Sequence, residues 1–133
     1  MTLAEKYNIF MKLAYFLIDE SNKGVPIIVE GRKDLESLKE IGIKGKVCCI
    51  KSSGMNFTNL IDELKKEKEM IIMTDFDKEG EELGRRLSKT LIQMRVRVND
   101  SIRSRMKKIV KRDIKAVEEL AGYYEKVISA RTY

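Results

Sequence analysis

The chain has 133 residues, 43% of them hydrophobic and 36% charged, with a net charge of +6, two cysteines and no histidine. That length predicts one domain, 1–133, with room for a core but none for a second catalytic domain. The missing histidine excludes imidazole bases, histidine-dependent triads and the usual zinc sites, so acid/base or metal chemistry falls to carboxylates.

The opening segment, about 3–20, places Tyr7, Phe10, Met11, Ala14, Leu17 and Ile18 on one helical face, and "SNKG" reads as its stop. It lacks the basic start and small-residue cleavage site of a leader, and no later run approaches the ~18 apolar residues of a membrane span. A cytoplasmic protein without a membrane partner is expected. Next, "VPIIVE" (25–30), "KVCCI" (46–50) and "EMIIMT" (69–74) read as strands without polar alternation, the pattern of a parallel sheet buried on both faces; "RVRVN" (95–99) reads as a fourth. Cys48 and Cys49 are adjacent inside an apolar run, where neither a disulfide nor a metal pair fits, so both are expected in the core. Helical patterns fill the gaps: Leu35, Leu38 and Ile41; Phe57, Leu60, Ile61 and Leu64; Leu83, Leu87, Leu91 and Met94. Three βαβ crossovers predict a small doubly wound α/β fold, a topology in which the strand order is commonly 2-1-3-4. After "NDS", a helical extension of about 101–128 carries Ile102, Met106, Ile109, Val110, Ile114, Val117, Leu120, Ala121 and Tyr124, with a break at Asp113 or Gly122.

Charge is unevenly distributed. Residues 85–115 hold 12 Lys/Arg against 2 Asp/Glu, a balance of +10 that leaves −4 elsewhere. Arg85, Arg86, Arg103, Arg105, Lys107, Lys108, Lys111 and Arg112 form this stripe, which reads either as a footprint for a nucleic-acid backbone or as a solvated basic face.

In open parallel sheets, ligands bind beyond the carboxyl ends of strands, beside the point where strand order reverses. Glu30 closes the first strand, Ser52, Ser53 and Gly54 follow the second, and Asp75 and Asp77 follow the third. With strands one and three adjacent, Glu30, Asp75 and Asp77 are expected to converge. Close carboxylates either take up protons or share a cation. Mg²⁺ suits them, because it takes oxygen ligands, keeps several waters and needs only one or two carboxylates beside a substrate phosphate. A bridging aspartate would serve two ions. The blander readings are a helix-capping Glu30, a turn plus an N-cap at Asp75 and Asp77, where Asp77 can be both cap and ligand, and an ordinary turn at 52–54 in place of a phosphate-binding helix start. Arg32 and Lys33 either neutralise substrate phosphates or stand exposed, and Glu79, Glu81 and Glu82 complement the dipole of the helix they open.

"IIVEGRKD" followed by "IIMTDFDKEGEELGRRL" resembles the Toprim domain, over about residues 24–100. That domain is shared by type IA topoisomerases, bacterial-type primases, OLD-family nucleases, recombination-mediator proteins and the ribonuclease that matures 5S ribosomal RNA. The whole chain, with "RMKKIVKRDIKAVEEL", is similar to the small stand-alone archaeal Toprim proteins. The resemblance implies a Rossmann-like, mainly parallel four-stranded sheet with extra N- and C-terminal helices. It implies that Glu30 is the catalytic acid or base and sometimes a metal ligand. Asp75 and Asp77 would be the Mg²⁺ ligands, for one or two ions with Mn²⁺ as a substitute, and Gly31 and Gly80 the glycines of the two motifs. It also implies a nuclease-like activity on phosphodiesters of structured RNA or DNA, with RNA preferred through the likeness to the ribosomal RNA maturase. Tyr123 and Tyr124 are better placed for helix packing than as topoisomerase nucleophiles, which need further domains. The rival readings are a metal-binding nucleic-acid module or scaffold within a protein complex, and a receiver-like domain phosphorylated on Asp75. The receiver pattern needs an acidic pair after the first strand and a lysine after a fifth, neither of which is present.

Overall fold

A computed structural model describes residues 1–52 and 54–131. The elements run α1 (Leu3–Asn22), β1 (Ile27–Val29), α2 (Arg32–Ile41), β2 (Val47–Cys49), α3 (Phe57–Leu64), β3 (Glu69–Ile72), α4 (Lys78–Gln93), β4 (Arg97–Asn99), α5 (Ser101–Val110), a 3₁₀ turn (Val117–Glu119) and α6 (Leu120–Arg131). The four strands form one sheet in the order β2-β1-β3-β4, and every pairing is parallel, with Ile27 of β1 opposite Val47 on one side and Ile71 on the other. The Toprim-type α/β architecture expected from the sequence is present.

Alternation along the strands divides the core in two. Ile27, Val29, Ile71 and Met73 face α1, α2, α5 and α6, while Ile28, Met70 and Ile72 face α3 and α4. Because α2 lies on one face and α3 and α4 on the other, the winding direction reverses between β1 and β3. A crevice therefore opens at their carboxyl ends.

Edges explain where apolar pattern and burial part company. β2 is an edge strand, so Cys48 and Cys49 are half-buried free thiols and not the core residues expected. The apolar run of α4 stops short of Met94, which lies past the helix end and is 46% exposed. Between the two tyrosines, Tyr123 is the buried one, stacked on Phe10 at 4.7 Å and edge-on to Tyr7 at 6.0 Å, and Tyr124 is partly exposed. The C-terminal helical pattern breaks around Asp113, whereas Gly122 lies inside α6.

Candidate metal centre

Glu30 stands one residue beyond β1 and is 9% exposed. Its Oε2 accepts a hydrogen bond from the Asp75 backbone N–H at 2.8 Å, joining residues 45 apart in sequence across the two central strands. Lys51, from the turn after β2, donates its backbone N–H to the Glu30 carbonyl at 2.9 Å and brings Nζ to 4.0 Å from Oε1. Burial pushes the Glu30 carboxyl above its usual range. The Asp75 N–H and Lys51 oppose this, and the negative charges of Asp75 and Asp77 reinforce it.

The residue between the two aspartates explains their spacing. Phe76 is buried in the core and its N–H donates to the Lys115 carbonyl at 2.7 Å, which leaves Asp75 half-buried and Asp77 exposed on either side. Asp75 Oδ1 accepts the Val117 N–H at 2.8 Å. Asp77 is the N-cap of α4, with Oδ1 accepting the Gly80 N–H at 2.7 Å. Glycine is required at position 80, since any Cβ there would overlap the Asp75 carbonyl. The Thr74 hydroxyl seals this contact by donating to the Gly80 carbonyl at 2.7 Å.

Arg103, counted with the surface stripe in the sequence, is buried. Its Nε donates to the Thr74 carbonyl at 2.8 Å, one terminal nitrogen to Glu81 Oε2 at 2.8 Å, and the other to the Asp75 carbonyl. The planar guanidinium fork reaches these three acceptors through three separate nitrogens, which the single nitrogen of an ammonium cannot do. Lys107 joins Glu81 Oε2 at 2.9 Å, and the hydrogen bonds from Lys107 and Arg103 hold the Glu81 carboxyl below its usual range. Glu81 thus anchors α5 in addition to opening α4. Arg32, Lys33, Arg85, Arg86, Arg105, Lys108, Lys111 and Arg112 are exposed, with Arg86 lying over the Phe57 ring at 3.7 Å.

Two further charged groups belong to the crevice. Asp34 is 6% exposed and caps α2 by accepting the Gly31 N–H at 2.9 Å; desolvation raises its carboxyl above the usual range, and the Asp75 charge adds to this. Its signal was the Gly-x-x-Asp spacing of a capping box. Lys51 carried no signal beyond following a strand. In the loop after β2, Ser53 lies outside the described residues, Ser52 is exposed, and α3 begins later, under Asn56, whose side chain accepts the Asn59 N–H at 2.8 Å.

Among the described residues no three acidic, cysteine or histidine side chains are grouped as a ready cation cage. The donor set nevertheless suits Mg²⁺. Glu30, Asp75 and Asp77 each give one oxygen to a backbone N–H, which fixes the carboxylate, and the second oxygen of Glu30 lies 4.0 Å from Lys51 Nζ. All the donors are hard oxygens, and two carboxylates suffice when water completes the shell.

The Toprim domain family matches residues 25–101. This chain belongs to the Toprim family. It is 36% identical over 126 residues to the UPF0292 protein of Thermococcus gammatolerans, covering 95% of this chain and 91% of that one. Against the UPF0292 protein of Archaeoglobus fulgidus the identity is 30% over 123 residues, with 92% and 95% covered. Among solved structures, a protein from Aquifex aeolicus superposes with a TM-score of 0.68 at 25% identity, covering 82% of this chain and 95% of that one. Arg103 and Val117, which hold this Toprim site from one side, lie outside the matched segment. Among the described residues, no helix is long and apolar enough to cross a membrane.

Proposed function

We propose that this Toprim protein cleaves nucleic-acid phosphodiesters hydrolytically with Mg²⁺, acting on structured RNA in preference to DNA. The observation that carries the reading is the Glu30 carboxylate docked on the Asp75 amide, with burial first and the charges of Asp75 and Asp77 after it raising its proton affinity. When bound, Mg²⁺, for which Mn²⁺ can substitute, polarises the phosphoryl oxygens and neutralises their charge. Asp75 and Asp77, each already holding a backbone N–H through one oxygen, would be the residues that hold the ion. Glu30, a buried carboxyl with elevated proton affinity, carries the proton to or from the scissile oxygen. Lys51, Arg32 and Lys33 neutralise flanking phosphates, and the exposed cations of α4 and α5 attract the backbone without reading sequence.

Labelled RNA and DNA hairpins incubated with Mg²⁺ test this. Wild type should cleave and both Glu30→Gln and Asp75→Asn should not; cleavage surviving both substitutions contradicts the assignment. Salt-dependent binding with no turnover under any divalent ion would favour a binding or scaffold module.

A further inference from the structure

The family match stops at residue 101, yet the carboxylate at the centre of the site is held from beyond it. Val117 opens the 3₁₀ turn, and the first N–H groups of any helical segment have no partner within it. Asp75 Oδ1 takes the Val117 N–H at 2.8 Å, in a place where the Val117 side chain is fully buried. The turn is itself anchored on both halves of the site. Phe76 donates to the Lys115 carbonyl at 2.7 Å on the β3 side, and the Ala121 N–H donates to Ser37 Oγ of α2 at 2.9 Å on the β1 side. Glu119 Oε1 closes it internally, accepting from Lys115 N–H at 3.3 Å and Ala116 N–H at 3.2 Å. From below, Arg103 holds the backbone carbonyls of Thr74 and Asp75.

We propose that the C-terminal extension is part of the metal site, with the Val117 amide as the positioning group that holds Asp75 Oδ1 and so fixes the carboxylate that would take the cation. The inference rests on Asp75 being a metal ligand. A carboxylate free to rotate must be ordered when a cation binds, whereas one already held by a buried donor is preorganised.

Position 117 permits a clean test. Ala116 is extended, with φ −121° and ψ 146°, a conformation that precedes proline without a clash, and proline is accepted at the first position of a helical turn. Val117→Pro therefore removes the N–H and keeps an apolar side chain, while Val117→Ala keeps the N–H and removes packing. Mn²⁺ affinity is read from the electron paramagnetic resonance of the free ion in wild type, Val117→Pro, Val117→Ala and Asp75→Asn, each checked for cooperative unfolding without metal. Val117→Pro should bind Mn²⁺ about tenfold more weakly, the effect of removing an outer-shell partner, and Val117→Ala should bind as wild type does. If the proline variant does not fold, exchange of the Val117 amide for an ester removes the same donor with the side chain intact, and the same tenfold loss is expected. A folded proline or ester variant with wild-type affinity overturns the inference, as does an equal loss in Val117→Ala. If Asp75→Asn also keeps wild-type affinity, or wild type binds no Mn²⁺, the metal reading falls and the inference with it. If Asp75→Asn loses affinity and Val117→Pro does not, only the inference falls.

Discussion

After β1 the chain fastens itself within four residues: Glu30 leads to Gly31, the Gly31 N–H meets Asp34 at 2.9 Å, and α2 begins. After β3 the fastening comes from a distance. Thr74 and Asp75 are held by Arg103, 28 residues on from Asp75, and the Asp75 carboxylate by Val117, 42 residues on. On the β1 side local capping starts the helix while the Glu30 carboxylate is held across from Asp75, and on the β3 side tertiary docking of α5 and the 3₁₀ turn is added to the local Asp77 cap. Damage to the first should stay small and local, and damage to the second should reach both stability and the site.

The largest contrast is expected at Arg103. Arg103→Ala leaves two backbone carbonyls and Glu81 short of their donor and should cost about 3 kcal/mol in denaturant melts. An effect below about 1 kcal/mol would show that the clamp is not needed. The motif glycines give the next comparison. Gly80→Ala forces α4 away from the Asp75 carbonyl and should cost about 2 kcal/mol. Gly31→Ala, whose Cβ would meet only Asp34 Oδ2 at 3.9 Å, should cost less than about 1 kcal/mol. Equal costs in thermal melts would erase the distinction between the two turns.

A smaller effect belongs to Glu30 and depends on pH. Its proton affinity is raised in the folded state, so the native protein holds a proton that the unfolded chain releases near 4.5. Without metal, stability should fall as pH rises from that value through the raised one. Glu30→Gln keeps an acceptor for the Asp75 N–H and should reduce this slope to the part that the raised Asp34 carboxyl contributes; melting midpoints in chelator across acid to neutral pH provide the check. The smallest change should come from Lys51→Ala. Its contact is 4.0 Å long and its side chain 75% exposed, so stability should move by less than about 0.5 kcal/mol while nucleic-acid affinity drops. A stability loss rivalling that of Gly80→Ala would place Lys51 in the fold instead of at the substrate.

The same contrast explains what could be read from sequence. Apolar runs ending in Glu30 and Asp75 carried their own topology, since doubly wound βαβ units bring neighbouring strand ends together. The Asp77 cap and the Gly31/Asp34 box follow from local spacing. Arg103 was invisible because an arginine in a basic run reads as surface, and only the packing of α5 against the β3 end buries it. The Val117 donor is a backbone group whose partner is set by docking, so no side-chain pattern could announce it. Cys48 and Cys49 show the converse, an apolar run left half-covered because strand order places β2 at an edge.

If the carboxyl ends of β1 and β3 form the proposed divalent-cation site, a Mg²⁺ titration followed by amide ¹H–¹⁵N shifts will locate it. Shifts should concentrate at residues 30–34, 75–80 and 117 in wild type and disappear in Asp75→Asn; saturable shifts that avoid these segments, or that persist unchanged in Asp75→Asn, would contradict it.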